Sequence, residues 1–327
     1  MRRLTLLTNP DKCNLRCPLC FLNQRGRPFG MGEMPLEVAK AAIEKYAEEI
    51  AGGAPSGLPG KGQCGLREVI PSTMGEPLLY LKFKELLEFC GEKKIPLNLT
   101  TNGSFPRLWG TAAGMERLLL ACSDIKVSCM GFDAPAFAEM MPGLSFDCWR
   151  SNVEKLLSLA GELRQRKACG QEHEKNSGQS RVATVSLQVT LHKKLLRSVP
   201  EILRWADSVG IARVKWNLPV LISAGESLRA EYGIAGSAVH EIRRELESLR
   251  ALYPRVRCEG SLFFGADTAG AMPVRKIASG EGPCDFFKDE IWILPDGTEE
   301  RCPNPERRFG DRTKKGAACE NCMLLGR

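Results

Sequence analysis

Three cysteines near the start of the chain have a spacing that suits metal or cluster chemistry. Cys13, Cys17 and Cys20 follow the pattern C-x3-C-x2-C, directly after the short strand-like run LTLLTN. A structural zinc site needs four ligands and is usually built from C-x2-C pairs. Three thiolates can instead hold three irons of a [4Fe–4S] cluster and leave the fourth iron open for a ligand. The spacing therefore favours an iron–sulfur cluster, with zinc as the alternative.

A second group of cysteines lies far along the sequence and comprises Cys284, Cys302, Cys319 and Cys322. Between the first two of them, strand-like runs flank the turn signal PDG at 295–297, which predicts a hairpin. A hairpin followed by a C-x2-C pair is a common zinc geometry. Taken alone, this segment therefore favours zinc.

The composition limits the class of protein. The chain has 327 residues, of which 43% are hydrophobic and 26% charged, as in globular domains. The net charge of +7 is dispersed, so we expect a solvated surface and no nucleic-acid partner. No apolar run reaches the ~18 residues of a membrane helix or forms a signal peptide. We therefore expect a cytoplasmic protein without a membrane partner, in which 14 cysteines indicate metal or cluster ligation rather than disulfides.

Alternating strand and helix patterns must position these residues. Six strand-like runs, from LTLLTN to ARVKWNLPVLI, alternate with helical patterns over residues 37–50, 147–166 and about 195–209. In the second of these, apolar residues recur at steps of three and four, which is typical of a helix with one buried face. The alternation predicts an α/β fold with a parallel sheet or partial barrel. Functional residues are then expected at the carboxyl ends of the strands.

Motifs after the second, third and fourth strands extend the pattern of the first three cysteines. They are Gly75-Glu76-Pro77, Thr101-Asn102-Gly103 and Val127-Ser128. Together with the cysteines, they resemble the radical S-adenosylmethionine (radical SAM) superfamily over about residues 4–225. Met74 stands where the family has the first glycine of its GGE motif. The resemblance implies a partial (β/α)6 TIM-like barrel.

The resemblance also implies roles for these residues. A [4Fe–4S] cluster with an open iron is implied on Cys13, Cys17 and Cys20, and S-adenosylmethionine (SAM) on that iron. Gly75, Glu76 and Pro77 would bind the methionine amino group, and the cofactor site would be lined by Thr101, Asn102 and Ser128. Such enzymes cleave SAM reductively to a 5′-deoxyadenosyl radical, which abstracts a substrate hydrogen. Their electron comes from a reductant such as flavodoxin or ferredoxin.

The resemblance has two limits within the core. Asn102-Gly103 is also ordinary turn chemistry after a strand, so a structural role for these residues is equally compatible with the sequence. Relatives with sulfatase-maturing activity place an arginine after the fourth strand to meet the SAM carboxylate. This chain has Met140 and Met141 in that stretch, which leaves Arg150 and Lys215 as conceivable substitutes.

The second cysteine group is interpreted differently when it follows a radical SAM core. The spacing Cys284-x12-Gly297-x4-Cys302 resembles the opening of the SPASM/Twitch extensions, which bind auxiliary [4Fe–4S] clusters. A full SPASM extension carries seven cysteines, whereas this chain offers four, so the shorter Twitch form with one auxiliary cluster is implied. We therefore divide the chain into a radical SAM core at 1–235 and a small cysteine-rich hairpin/helix module at 236–327.

Several functions remain open within and beyond this family. The leading hypothesis is an oxidoreductase- or maturase-type enzyme that oxidises or modifies a peptide, a protein or a small polyol-like metabolite. An epimerase is the first alternative, with Cys258 as the thiol hydrogen donor and Cys129 as a second candidate. A non-catalytic electron carrier with two clusters, or a zinc-stabilised binding protein, are alternatives from other classes. Each lone cysteine also suits the role of a small buried apolar side chain.

Overall fold

The structure is a computed structural model, and it describes most of the chain up to residue 263 and one later segment. The described residues are 2–24, 26, 28, 30–48, 66–72, 74–170, 181–221, 224–263 and 290–300. The four cysteines of the second group lie outside the described residues, together with the auxiliary cluster predicted on them; they are Cys284, Cys302, Cys319 and Cys322.

Strands of the described segments form one mostly parallel sheet. In chain order they are β1 (Arg2–Leu6), β2 (Leu66–Pro71), β3 (Leu97–Thr101), β4 (Cys122–Cys129), β5 (Thr184–Thr190), β6 (Arg213–Asn217), β7 (Arg257–Glu259), β8 (Glu290–Ile293) and β9 (Glu299–Glu300). Their order across the sheet is β7-β6-β5-β4-β3-β2-β1-β8-β9. All neighbouring pairs from β7 to β8 are parallel. Sequential parallel strands require crossover connections, so the predicted α/β class is confirmed.

Helices supply these crossovers. In chain order they are α1 (Phe21–Gln24), α2 (Leu36–Glu48), α3 (Phe83–Glu92), α4 (Ala112–Ala121), α5 (Ala134–Met140), α6 (Phe146–Ala168), α7 (Val199–Ser208), α8 (Glu226–Tyr232) and α9 (Gly236–Leu252). The α6 helix buries the apolar stripe that the sequence predicts: Trp149, Val153, Leu156, Ala160 and Leu163. Asp133 caps α5, since its carboxylate accepts the Ala136 N–H at 2.7 Å. Within the described part of the chain, no helix is both long and apolar enough to cross a membrane.

The two faces of the sheet differ in chemistry. In β4, Ile125 and Val127 are fully buried in the apolar core, while the alternating Asp124 and Lys126 belong to the opposite, polar face. Side chains on that inner face reach from one strand to another. Glu68 on β2 accepts a hydrogen bond from Ser123 on β4 at 3.0 Å, although strands two apart in a flat sheet are separated by roughly 10 Å.

The predicted hairpin around residues 295–297 is confirmed, and it joins the main sheet. β8 and β9 pair antiparallel, and the turn closes with Gly297 at φ +84° and a 2.9 Å bond from its N–H to Leu294 O. β8 then pairs parallel with β1. α9 also packs on the core through Ile242 and Leu246, and β7 does so through Cys258. The proposed boundary between 1–235 and 236–327 stays a prediction, and the described elements on both sides of it share one sheet.

Candidate functional site

The three N-terminal cysteines lie on a compact loop at the carboxyl end of β1. The Cys13 thiol accepts the Leu15 N–H at 3.4 Å, and the Cys20 N–H bonds Cys17 O at 3.0 Å. The Asn23 side chain closes the segment by donating to Cys17 O at 2.7 Å. Local hydrogen bonds therefore hold the cysteines together without a disulfide.

Gly75 brings the end of β2 against this loop. Its φ is +73°, and a Cβ built on it would lie 2.1 Å from Asn9 O and 2.8 Å from Lys12 O. Hydrogen bonds fix the contact, because the Glu76 N–H bonds Lys12 O at 2.8 Å and Asn9 Nδ2 donates to Glu76 O at 2.7 Å. Only glycine allows both this backbone conformation and this close approach.

Glu76 is the most unusual group of the site, since its side chain is only 1% exposed. Its carboxylate accepts hydrogen bonds from Thr101 Oγ1 at 2.8 Å, Asn102 N at 2.7 Å and Leu78 N at 3.2 Å. Burial raises the pKa of Glu76 to about 7, and these hydrogen bonds offset only part of that effect. None of the lysines, arginines or histidines in the described residues forms an ion pair with it.

The carboxylate of Glu76 can therefore hold one more ligand, and a cation is the favourable choice. A carboxylate offers about four acceptor positions, and three are used within the protein. A positively charged ammonium would supply the missing charge compensation through a strong, charge-assisted hydrogen bond. Neutral donors alone leave that charge uncompensated.

Asn102 connects Glu76 with the cysteine loop. Its side-chain amide lies 3.8 Å from Cys13 Sγ and donates to Asn14 Oδ1 at 2.9 Å, while its Oδ1 accepts the Ser104 N–H at 2.9 Å. The last bond is the turn role that the sequence left open, and the first two belong to the site. Asn102 therefore has the turn role and lies beside the cysteine loop, while its part in a cofactor site stays a prediction.

The chemistry of the three thiols fits a cationic iron cluster. Burial raises the pKa of Cys13 and of Cys20. Burial, followed by the negative charges of Cys20 and Cys13, raises the pKa of Cys17 to about 12. Three neighbouring thiolates in a desolvated loop are stable only beside a cation, and a bound metal deprotonates its thiol ligands outright. Among the described residues, no three His, Cys, Asp or Glu side chains are arranged around a single metal ion.

The remaining predicted residues lie at different places in the sheet. Ser128 is half-buried near the end of β4, and its carbonyl accepts the Trp149 indole N–H at 3.1 Å. Cys258 is 8% exposed and pairs with Val214, whose side chain lies in the apolar core. This face is opposite to that of Ser128, because Val214 and Lys215 alternate along β6. The hydrogen-donor role of Cys258 stays a prediction, and its placement does not support it.

Asn9 belongs to the site although the sequence did not single it out. Its amide donates to Lys12 O at 3.3 Å as well as to Glu76 O, and its Oδ1 accepts the Thr8 hydroxyl at 2.8 Å. Asn9 is 1% exposed, so it is a buried polar link between the cysteine loop and the Glu76 segment. The polar pair Thr8-Asn9, which follows the apolar residues of β1 and Leu7, was the available signal.

Comparison with known proteins gives matches in structure alone. No protein-family model and no curated protein matches the chain. Streptococcus suis SuiB bound to the precursor peptide SuiA superposes with a TM-score of 0.61 at 13% identity, covering 99% of this chain and 66% of SuiB. SuiB bound to S-adenosylmethionine gives 0.59 at 14% identity, covering 93% and 58%. Native anSMEcpe with bound AdoMet and Cp18Cys peptide gives 0.59 at 15% identity, covering 92% and 74%.

These similarities establish the fold of the chain. The low sequence identities leave activity, substrate and partners open. In length, the chain spans 66% of SuiB in one of these structures and 58% in the other. The mixed α/β architecture with a mostly parallel sheet is thus that of proteins solved with S-adenosylmethionine bound.

Proposed function

We propose that the protein is a cytoplasmic radical SAM enzyme that cleaves SAM and abstracts a hydrogen from its substrate. The observation that carries this proposal is the contact between the cysteine loop and Glu76. Gly75 and Asn9 hold a buried, uncompensated carboxylate against the loop that carries three desolvated thiols. Neighbours of the same fold bind SAM, which carries both an ammonium group and a group able to bind an open iron.

Each residue has a defined part in this function. Cys13, Cys17 and Cys20 would hold a [4Fe–4S] cluster, and Glu76 would bind the methionine ammonium. When bound and reduced by flavodoxin or ferredoxin, the cluster supplies the electron that cleaves SAM to a 5′-deoxyadenosyl radical. Thr101 and the Asn102 N–H orient the Glu76 carboxylate through the bonds described above. Ser128 would line the site from β4.

A second cofactor and a substrate class complete the proposal. We assign an auxiliary [4Fe–4S] cluster to the second cysteine group, which lies outside the described residues, with zinc as the alternative metal. The substrate is a peptide or protein, or else a small polyol-like metabolite. Peptides are favoured by the neighbours, since SuiB was solved with a precursor peptide and anSMEcpe with the Cp18Cys peptide.

The other function classes are distinguished by particular residues. An electron carrier needs no ammonium site, so the arrangement around Glu76 favours an enzyme. An epimerase needs a thiol beside the substrate, and Cys258 lies on the apolar face of the sheet. We therefore propose oxidation or modification ahead of epimerisation.

The proposal is tested with anaerobically reconstituted protein. We expect about eight iron atoms per chain for two [4Fe–4S] clusters, and 5′-deoxyadenosine after addition of SAM and dithionite. Replacing Cys13, Cys17 and Cys20 by Ala should leave about half the iron and abolish 5′-deoxyadenosine formation. Retained cleavage in this variant would refute the assignment of the cofactor.

Two control variants separate the sites. Cys148 and Cys169 are exposed, so their replacement by Ala should change neither iron content nor SAM cleavage. Replacing Cys319 and Cys322 by Ala should lower the iron content and spare SAM cleavage. Full iron in that variant would remove the auxiliary cluster from the proposal, and one zinc per chain would assign a structural metal there.

A further inference from the structure

The inner face of the sheet carries a group of charged residues below the strand ends. This group, the inner-face ionic network, comprises Arg3, Glu68, Asp124, Lys126, Arg213, Lys215 and Glu259. It draws on strands from β1 to β7. Four of its residues are basic and three are acidic, so the network has an excess of one positive charge.

Each carboxylate in the network already has a cationic partner. Arg3 Nε lies 2.7 Å from Glu68 Oε1, and Lys215 Nζ lies 3.2 Å from Glu259 Oε1. Asp124 forms an ion pair with Arg213. It also accepts the Ser186 hydroxyl at 2.7 Å. The acidic residues of this face are therefore compensated without Lys126.

Lys126 has no ion-pair partner within the network. It is only 5% exposed, and within the described segments its ammonium makes no ion pair or hydrogen bond. Burial, followed by the positive charge of Lys215, lowers the pKa of Lys126 to about 8. It is therefore still mainly protonated at neutral pH. An ammonium on this face without an ion-pair or hydrogen-bond partner is open to a ligand, and an anion is the ligand that would pair with it most strongly.

The position of Lys126 separates this anion from the Glu76 site. Lys126 lies two residues before Ser128 in β4, or roughly 7 Å deeper along the strand. Lys215 lies on β6, two strands beyond β4 and so roughly 10 Å further across the sheet, at the level of Ser128, since both pair with Gln188. Glu76 contacts β3 through Thr101. An anion on Lys126 therefore lies deeper than Ser128, and Lys215 lies on the side of β4 away from Glu76.

We infer that Lys126 binds a carboxylate group of the substrate on the inner face of the sheet, with the charge of Lys215 two strands away adding to the attraction. The inference rests on the proposed function, according to which the substrate binds at the inner face of the sheet. It narrows the substrate class to peptides or metabolites that present a carboxylate. Lys126 then acts as a specificity-determining residue, because a neutral substrate would leave its ammonium unpaired.

The test uses reconstituted holoenzyme saturated with SAM, without a reductant, and titrates it with glutarate by calorimetry. Wild-type protein should bind glutarate and should not bind the neutral glutaramide. Lys126→Met should weaken glutarate binding at least tenfold, as expected for the loss of a charged hydrogen bond. Lys126→Arg should retain binding to within about threefold, since it keeps the charge. Lys84→Met, an exposed lysine on α3, should behave as wild type.

Folding and the source of the carboxylate are checked separately. Thermal unfolding of Lys126→Met should occur at the same or a higher temperature than wild type, since an unpaired buried charge is removed. Equal glutarate affinity in wild type and Lys126→Met would overturn the inference. Loss of SAM affinity in that variant, or competition between glutarate and SAM, would assign the lysine to the SAM carboxylate and also overturn it. Absence of 5′-deoxyadenosine in the wild type would instead refute the proposed function.

Discussion

Two buried glutamates near opposite ends of β2 have opposite electrostatic surroundings. Glu68 is 5% exposed and bonds Arg3, Asn98 Nδ2 at 2.9 Å and Ser123. Burial raises its pKa, but the hydrogen bond from Asn98 and the charge of Arg3 outweigh burial, so the pKa lies below its ordinary value. Glu76, at 1% exposure, has only neutral donors, and burial raises its pKa to about 7.

The difference shows how the same residue type serves structure in one place and binding in the other. Glu68 is charge-compensated within the protein and ties β1, β2, β3 and β4 together. Glu76 is held just as firmly, but its charge is left for a ligand to compensate. Perturbed carboxyl groups of this kind concentrate at functional sites. Substitutions at these glutamates, and changes of pH, test this difference.

The largest expected effect is on ligand binding at Glu76. Glu76→Gln removes the negative charge and should weaken SAM binding to reconstituted protein by about a hundredfold, as for a buried charge-assisted hydrogen bond. Glu68→Gln is the matched control and should bind SAM within twofold of wild type. Titration calorimetry without reductant measures both. Unchanged SAM affinity in Glu76→Gln would show that the ammonium is bound elsewhere.

The next largest effect is on stability, where Glu68→Gln should be affected more than Glu76→Gln. Glu68→Gln leaves Arg3 without its counter-charge and should lower the free energy of unfolding by about 2 kcal/mol. This is less than for a fully buried pair, because the Arg3 side chain is 34% exposed. Glu76→Gln should be less destabilised at pH 7, since it loses no ion pair. Urea denaturation of both variants provides the measurement, and equal losses would remove the distinction between the two glutamates.

A pH profile sharpens the contrast further. Because the pKa of Glu76 is raised to about 7, its carboxyl group is protonated below that pH and cannot pair with an ammonium. The SAM affinity of wild type relative to Glu76→Gln should therefore rise about tenfold from pH 6 to pH 8. Taking this ratio cancels the titration of SAM itself. A flat ratio would mean that Glu76 stays ionised throughout, as Glu68 does.

The same linkage has a consequence for the protein without ligand. A carboxyl group with a raised pKa stabilises the folded state fully below its ordinary pKa, and this contribution is lost as the pH rises through about 7. The ligand-free protein should lose stability over that window relative to Glu76→Gln. Glu68, whose pKa is lowered, contributes in the opposite sense, since its stabilisation is lost on acidification.

The smallest effect is expected at the edge of the site. Ser128→Ala removes one neutral hydroxyl from the polar face of β4, and it should weaken SAM binding about fivefold, as for a single neutral hydrogen bond. Ser158→Ala, on the exposed surface of α6, is the control and should have no effect. A loss as large as that of Glu76→Gln would mean that Ser128 contacts a charged part of the ligand.

Much of the fold could be predicted because its signals are local. Alternating polarity in β4, the apolar stripe of α6 and the turn at 295–297 each depend on residues close together in sequence. The pairing of β8 with β1 could not be predicted in this way, since it joins residues almost 290 positions apart. Asn9 escaped notice for the same reason, because its partner in the Glu76 segment is 67 residues away.

The spacing of the first three cysteines and the alternation of strands and helices along the chain were determined by sequence alone, because periodicity and spacing are properties of neighbouring residues. Only the tertiary structure decided which charges are compensated. Glu68 meets Arg3 across 65 positions, Glu76 meets no cation among the described residues, and Lys126 is buried beside carboxylates that already have partners. A pKa depends on desolvation and on the charges nearby, and folding brings those charges together from distant parts of the chain.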